Sequence, residues 1–372
     1  MRVLIIATSR AHNIINRCNM IVSSSRISSN GIMINVFNTK ENSMKSFLSI
    51  LRDILKNQYD IIHVMEPGYP VFPLAFLLFF ITRKRTIFDT GDIHWRNAKL
   101  RKRSMPFILG VMLCEISAFS LAKEIIVRGI GAKNELLKFK FLSRKKISVI
   151  PDFIEILPEE GYESFSLDSE KKLKKNTTVG YVGSLNFINY DGIILPRGWE
   201  LIEVISNLVK KGIEDVRIVV VGTGEALESM KQLSLNRGVN KFITFKGYVD
   251  QNDYVKVLNS FDICFYESVD IINYRFMTGI KLQEYSFLGK PVIAGDIGEA
   301  HELLEGLNFC VKPVDKALKL KEEYVESIAE KIIEIRSDQN LLQKCHALRN
   351  RALLRYGYSK LIEDLIKIYV RD

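Results

Sequence analysis

KLQEYSFLGKPVIAGD, residues 281–296, has the pattern of a helix that turns through a glycine into a buried strand. Gly289 marks the predicted end of the helix, and an apolar run follows at residues 292–294. Residues three apart share one face of a helix, so Lys281 and Glu284 are predicted to project together. If the helix start borders a cleft, its backbone N–H groups suit an anion. The plain alternative is an ordinary crossover of a doubly wound sheet.

Short apolar strands and longer amphipathic segments alternate along the chain, as a doubly wound α/β sheet requires. The first half predicts six strands, at residues 3–7, 32–37, 60–65, 86–89, 124–127 and 147–150. After a polar stretch, five more are predicted at residues 179–182, 216–221, 243–245, 263–266 and 291–294. Near the end, Leu361, Leu365 and Ile368 fall on one face of a predicted helix. We therefore expect a first domain at 1–155, a linker at 156–177, a second domain at 178–355 and a C-terminal helix within 356–372.

Size and cysteine usage favour a two-domain protein of a reducing compartment. The 372 residues exceed the size at which single cores stop growing. The 5 cysteines are scattered without a CxxC pair, which argues against both a disulfide framework and a zinc site. Residues 1–6 are too short an apolar run for a signal peptide, and the longest apolar stretch, residues 70–81, is too short to span a bilayer. We expect a cytoplasmic protein, soluble or peripheral on the membrane.

Charge is divided unequally along the chain. Residues 1–155 hold 24 lysines and arginines against 11 acidic residues, a net charge of +13, whereas the remainder carries −3. Basic clusters at residues 83–85 and 99–103 adjoin the apolar stretches 71–81 and 105–109. This combination is expected of a protein that rests on an anionic membrane face, and a solvated basic surface over core helices fits it equally. No recognisable nucleic-acid-binding motif accompanies the charge, so nucleic acid is the poorer partner.

The stretch that begins at Lys281, together with several weaker motifs in the same order, resembles the retaining GT-B glycosyltransferases of family 4, the glycosyl transferases group 1 type. The resemblance covers nearly the full chain. It implies two Rossmann-like domains facing each other across a cleft, with the C-terminal helix crossing back onto the first domain. It also implies transfer of a hexose-type sugar from a UDP- or GDP-linked donor to a glycan or lipid-linked acceptor, with retained configuration. No cofactor and no metal are expected, because protein cations stabilise the leaving group in this family.

The resemblance places a donor-binding site in the second half of the chain. Gly183 ends a predicted strand where family members have a phosphate-binding turn, and Ser184 stands in place of the usual arginine. Arg197, followed by a glycine, takes the position of a family lysine and would hold the diphosphate. The remaining implied donor residues are two turn glycines, the backbone that contacts the base and the start of the helix: Gly222, Gly224, Tyr248, Val249, Gly279 and Ile280.

The same resemblance implies catalytic roles at the start of the 281–296 stretch. Glu284 aligns with the second of two family glutamates, which typically holds the ribose hydroxyls. Lys281, Arg197 and the amides near Gly279 would neutralise the diphosphate leaving group. The first family glutamate is absent, because Phe276 stands in its position.

The first domain is expected to supply the acceptor side. Arg10 follows the first predicted strand, in a loop that is glycine-rich in the family, and would add a cation toward the donor. TIFDTGDIHW, residues 86–95, resembles a family Asp-x-x-Asp-x-Trp loop, and a carboxylate at a strand end suits polar catalysis. Asp92 is preferred for the chemistry; Asp89 is alternatively a turn cap, and His94 a surface histidine.

Two other classes of function stay open. Nucleotide-sugar 2-epimerases share the implied fold and bind a nucleotide diphosphate, and product analysis without an acceptor separates them from transferases. A non-catalytic member that binds a nucleotide or a partner is suggested by the missing arginine after Gly183 and by Phe276. For such a protein we expect no turnover with any donor.

Overall fold

The structure is a computed structural model that describes residues 1–7, 12–38, 44–66, 84–100, 102–140, 142, 145–154, 166–173, 175–190, 192–267, 275, 279–314, 318 and 321–371. These residues form two compact units. The first unit contains the described residues of 1–155, residue 275 and residues 356–371, and the second contains those of 156–274 and 279–355.

A parallel six-stranded sheet forms the centre of the first unit, in the order β2-β1-β3-β4-β5-β6. The strands at 2–7, 61–65 and 124–127 are buried, mainly aliphatic runs because both faces of the sheet are covered there. The strands are β1 (Arg2–Ala7), β2 (Met33–Asn38), β3 (Ile61–Met65), β4 (Arg85–Thr90), β5 (Glu124–Val127) and β6 (Lys146–Val149). Each predicted strand of the first half is confirmed to within one residue at either end.

The helices of the first unit pack on both faces of this sheet. They are His12–Val22, Ser25–Ser29, Met44–Lys56, His94–Leu100, Met105–Leu121, Ile130–Leu137 and Tyr358–Val370. The last of these helices buries Leu361, Leu365 and Ile368 in the same apolar cluster as Val3 and Ile5 of β1. The predicted apolar face of the C-terminal helix is thereby confirmed, and it completes the core of the first unit.

The second unit repeats the parallel design, in the order β11-β10-β7-β12-β13-β14. Its strands are β7 (Thr177–Val182), β10 (Val216–Val221), β11 (Ile243–Gly247), β12 (Ile263–Tyr266), β13 (Val292–Gly295) and β14 (Cys310–Val311). A separate antiparallel hairpin joins β8 (Phe187–Tyr190) to β9 (Ile193–Pro196). The five predicted strands are confirmed, whereas neither strand of this hairpin was predicted. The hairpin was missed because its strands are short and largely solvent-facing, which leaves little apolar alternation.

The helices of the second unit surround this sheet. They are Leu167–Leu173, Trp199–Lys210, Leu227–Asn236, Gln251–Asn259, Ile280–Phe287, Gly298–Leu304, Lys321–Ser337 and Leu341–Tyr356, with a short 3-10 turn at Asn240–Phe242. Helix Ile280–Phe287 ends just before Gly289, whose φ of +63° is one that glycine adopts without strain. The helix, glycine turn and strand predicted from the 281–296 stretch are confirmed. Within the described ranges, no helix is both long and apolar enough to cross a bilayer.

Candidate functional site

Loops at the carboxyl ends of the parallel strands in the second unit hold the residues predicted for donor binding. In open α/β sheets this is the edge at which ligands bind. Three strands are each followed by a predicted pair: β7 by Gly183 and Ser184, β10 by Gly222 and Gly224, and β11 by Tyr248 and Val249. Gly279 caps the helix that begins at Ile280, and Arg197 follows the hairpin strand β9. The tertiary structure therefore assembles these residues at one edge of one sheet.

Lys281 and Glu284 form an ion pair in the first turns of helix Ile280–Phe287. Lys281 Nζ lies 2.9 Å from Glu284 Oε2 and donates a hydrogen bond of 2.6 Å to the Tyr254 hydroxyl, which in turn donates to Glu284 Oε2 at 2.5 Å. The Glu284 side chain is 7% exposed and that of Lys281 34%. The predicted shared face of Lys281 and Glu284 is confirmed. Tyr254 was not predicted, since it lies on another helix and no sequence pattern connects it with Glu284.

Arg197 is oriented by three side chains of the second unit. Its Nε donates to Glu267 Oε1 at 3.3 Å, and its terminal nitrogen donates to the Ser184 hydroxyl at 3.3 Å. The hydroxyl of Tyr181 donates to the other Glu267 oxygen at 3.2 Å. Ser184, which stands where the family has an arginine, thus contacts the arginine that the chain supplies from position 197. Glu267 was not predicted, although a carboxylate directly after the predicted strand β12 is a recognisable candidate for a site residue.

A second carboxyl group, that of Glu200, is buried near Glu267. Its side chain is fully buried, and within the described part of the chain neither of its oxygens has a hydrogen-bond partner. Burial, followed by the nearby charge of Glu267, raises the pKa of Glu200 well above its ordinary value. Burial and Glu267 thus both disfavour the charged form of Glu200.

Two turns of this edge are in direct backbone contact. Gly222 has a φ of +136°, and a Cβ atom there would lie 1.9 Å from the Gly183 carbonyl oxygen. At Gly224 the corresponding atom would lie 2.2 Å from the carbonyl oxygen of Leu185. The amide of Gly183 donates to the carbonyl of Val221 at 3.0 Å, which holds the turns together. This close contact requires glycine at positions 222 and 224. That either residue binds a nucleotide stays a prediction.

In the first unit, Asp89 lies within β4 and is completely buried. Its carboxylate accepts hydrogen bonds from Arg17 at 3.0 Å, from His63 at 3.3 Å and from Arg128. The other ring nitrogen of His63 lies 2.7 Å from the Tyr369 hydroxyl. Burial and the charges of the two arginines lower the pKa of His63 far below its usual range, so the imidazole is neutral. Asp89 is therefore the centre of a buried ionic network, and the structure shows it in a strand rather than in a capping position.

Glu66, directly after β3, adopts a left-handed backbone conformation with a φ of +48°. Such a conformation is strained for a residue with a side chain and persists where the surroundings enforce it. Its Oε1 accepts from the Gly91 amide and lies 3.4 Å from an Arg128 nitrogen, and a Cβ at Gly91 would come within 2.7 Å of that oxygen. Its Oε2 lies 3.8 Å from His94 Nε2. The absence of a side chain at position 91 thus makes room for the Glu66 carboxylate, which the sequence reading missed.

Asp92 and His94 lie beside Glu66 at the carboxyl edge of β4. Asp92 is half-buried in the turn, and its carbonyl accepts from the Thr90 hydroxyl at 2.7 Å. The buried Glu115 carboxylate accepts from the amides of His94 and Trp95 at 3.1 Å each, which caps helix His94–Leu100. Arg10 and Phe276 lie outside the described residues. Across the described ranges, no three His, Cys, Asp or Glu side chains converge as metal ligands would.

Replacing Glu66 with glutamine is expected to change how stability depends on pH. Burial raises the pKa of Glu66 from 4.5 to about 7, so between these values the folded protein holds a proton that the unfolded chain has released. Wild-type stability should therefore fall as pH rises through this window, by up to about 3 kcal/mol from this group. Glu66→Gln cannot titrate and keeps an oxygen for the Gly91 amide. The free energy of unfolding of Glu66→Gln should equal that of the wild type near pH 4.5 and exceed it above about pH 7.

Urea unfolding across the pH range measures this difference. The matched control is Glu363→Gln, on the exposed face of helix Tyr358–Val370. Its free energy of unfolding should depend on pH in the same way as that of the wild type. A stability difference between Glu66→Gln and wild type that does not vary with pH would contradict the assignment.

Part of the chain is similar to a known protein family. Residues 198–354 match the family model described as glycosyl transferases group 1. A curated relative, the uncharacterized glycosyltransferase MJ1069 of Methanocaldococcus jannaschii, is 25% identical over 258 residues. The match covers 68% of this chain and 59% of the relative, so the chain spans less than two thirds of that protein's length.

Solved structures share the whole fold at low sequence identity. Alr3699/HepE of Anabaena in complex with UDP has a TM-score of 0.68 at 16% identity, with 99% of both chains covered. Its complex with UDP-glucose has a TM-score of 0.66, with the same identity and coverage. Sucrose-phosphate synthase from Thermosynechococcus elongatus has a TM-score of 0.69 at 14% identity, covering 99% of this chain and 98% of that one. These likenesses confirm the predicted fold, two Rossmann-like domains of the GT-B type.

Proposed function

We propose that this protein is a glycosyltransferase that moves a hexose-type sugar from a UDP- or GDP-linked donor to a glycan or lipid-linked acceptor, with retained configuration. The observation that carries the proposal is the group 1 match over residues 198–354, a range that contains Lys281, Glu284 and Tyr254. A protein of the same fold has been solved with UDP and with UDP-glucose, which supports a nucleotide-sugar donor. We place the reaction on the cytoplasmic side of a membrane, without a cofactor or metal.

The two cations of the second unit suit a diphosphate leaving group. Arg197 and Lys281 are each partly exposed at the carboxyl edge of the sheet, and each is held by a carboxylate, Glu267 or Glu284. Preorganised positive groups stabilise charge as it develops, because they need not reorient during the reaction. When the bond between the anomeric carbon and the diphosphate breaks, the electron pair leaves with the diphosphate toward these cations. The acceptor hydroxyl oxygen then bonds to the anomeric carbon from the face that the nucleotide leaves, and the hydroxyl proton passes to an oxygen of the departing diphosphate.

Glu284 is assigned to the ribose of the donor. Its carboxylate is fixed by Lys281 and by the Tyr254 hydroxyl, which both bond to Oε2. A carboxylate has several lone pairs and can accept from ribose hydroxyls while keeping these donors. Backbone groups of Tyr248 and Val249 are assigned to the base, and the turn at Gly183 and the helix start at Gly279 and Ile280 to the phosphates.

Asp92, rather than Asp89, is assigned to the acceptor side. The Asp89 carboxylate is fully buried and bonded to Arg17, Arg128 and His63, so it offers no approach to a substrate. Asp92 is half-buried at the same strand end and lies near Glu66 and His94. A carboxylate in this position can accept a hydrogen bond from an acceptor hydroxyl.

Nucleotide binding is expected to stabilise the wild type and not the Glu284→Ala variant. A ligand at about a hundred times its dissociation constant stabilises the folded state by about 2.7 kcal/mol. The measurement is a thermal-shift panel with UDP, GDP, ADP and CMP, with and without their sugars. Glu228→Ala, at a largely exposed surface glutamate paired with Lys231, is the control and should keep the full shift.

The outcomes of the panel separate the classes of function. A shift with one nucleotide that is lost in Glu284→Ala identifies the donor base and allows an acceptor screen. Product analysis with that donor and no acceptor then detects an epimerase, which would alter the sugar on the nucleotide. No shift with any nucleotide, on protein that melts cooperatively, would contradict the transferase and favour a non-catalytic role.

A further inference from the structure

Helix Met105–Leu121 of the first unit presents apolar side chains to solvent. Met105, Leu109 and Leu113 follow one another at intervals of four residues, which places them on one face. They are 64%, 48% and 63% exposed. Another face is buried through Ile108, Val111, Ala118 and Phe119, the last three of which belong to the apolar core of the unit. The core therefore uses one side of the helix and leaves a second apolar side uncovered.

Charged groups are absent from this uncovered side, while they occur at both ends of the helix. Between Arg103 and Lys123 the sequence has one residue of the Asp, Glu, Lys or Arg type, Glu115, and that side chain is buried. Surface helices of globular proteins normally carry polar residues on their outer face. Exposed lysines and arginine flank the helix: Lys99, Lys102 and Arg103 before it, and Lys123 after it.

We propose that the face formed by Met105, Leu109 and Leu113 docks into the surface of an anionic lipid bilayer. Helices of this kind lie in the interface, with apolar residues among the acyl chains and basic residues against lipid phosphates. Lys102, Arg103 and Lys123 supply those basic contacts. A second copy of the chain is the poorer occupant, because residues 1–155 carry a net charge of +13 and two such surfaces repel. The role rests on the proposed transfer to a lipid-linked acceptor, for which it provides the membrane contact.

Vesicle sedimentation of the full chain tests this docking face. The probes are vesicles of phosphatidylcholine mixed with phosphatidylglycerol, and vesicles of phosphatidylcholine alone, at low and high salt. Wild type should sediment with the anionic vesicles and be released by salt, because screening weakens surface electrostatics. The double variant Leu109→Glu/Leu113→Glu should partition about tenfold more weakly or worse. Lys102→Ser/Arg103→Ser should also lose about tenfold, and mainly on anionic vesicles.

The matched control is Leu235→Glu/Leu354→Glu, which changes two exposed leucines of the second unit and should bind vesicles like the wild type. Equal loss in the control, or wild type that stays in the supernatant at low salt, overturns the proposal. Light scattering detects the competing outcome, a dimer that Leu109→Glu/Leu113→Glu converts to monomer without any vesicle binding. Nucleotide thermal shifts keep the two hypotheses distinct. If vesicle binding fails while the nucleotide shift persists, the docking face alone is refuted.

Discussion

Replacing Asp89 with asparagine is expected to lower the free energy of unfolding by about 3–5 kcal/mol, which is the usual penalty for removing one partner of a buried ionic network. Arg17 and Arg128 are fully or almost fully buried, and burial already lowers the pKa of both guanidinium groups. Asparagine has no charge to compensate them and directs an N–H donor toward other donors. Asp152 remains near both arginines, with its Oδ1 at 2.7 Å from Arg128 and 3.9 Å from Arg17, but it cannot replace the lost carboxylate geometry.

Urea denaturation followed by circular dichroism measures this loss, and Asp364→Asn provides the control. Asp364 also lies between two cations, Lys360 and Lys367, but all three side chains are at least partly exposed on helix Tyr358–Val370. Exposed ion pairs typically contribute about 1 kcal/mol or less. Similar losses of unfolding free energy in the two variants would show that the buried network around Asp89 stabilises the first unit no more than an exposed ion pair does.

Gly222→Ala is expected to destabilise the second unit by about 3 kcal/mol or more, because backbone strain and a steric clash combine. The φ of +136° is unfavourable for alanine, and its Cβ would lie 1.9 Å from the Gly183 carbonyl oxygen. That oxygen belongs to backbone, which cannot rotate away as a side chain would. The Gly183 amide is also hydrogen-bonded to Val221, so relief of the clash must disturb the pairing of β7 with β10.

The control variant Gly212→Ala shows how much of the expected loss comes from backbone strain alone, without a steric clash. Gly212 also has a positive φ, +79°, but a Cβ there would meet no atom within 4 Å. The expected loss is about 1 kcal/mol, from the left-handed conformation alone. Unfolding of both variants should show the larger loss in Gly222→Ala, and the nucleotide-induced thermal shift should weaken only in that variant. Comparable losses at 212 and 222 would argue that the two turns can move apart.

Patterns confined to neighbouring residues were enough to predict the architecture. Strands buried on both faces appear as apolar runs such as residues 216–221, which the sequence shows directly. The relation between Lys281 and Glu284 follows from helix geometry, since their spacing places them on one face. The end of that helix follows from Gly289, where the chain needs a positive φ. These features depend on a few consecutive residues, so the alternating strands and helices could be predicted from them, whereas the GT-B type and the site motifs were implied by the family resemblance.

The partners of the site residues were decided by the tertiary structure alone. Arg17 reaches Asp89 across 72 positions of sequence, Tyr369 reaches His63 across 306, and Arg197 meets Glu267 across 70. The sequence favoured Asp92 over Asp89 for the chemistry, but only the buried arginines show that Asp89 is structural. The room that Gly91 leaves for Glu66, and the hairpin that carries Arg197, likewise have no local signature. The sequence by itself determined where the strands of the two parallel sheets form. Burial and long-range electrostatics, which depend on distant segments meeting, decided what each charged residue does.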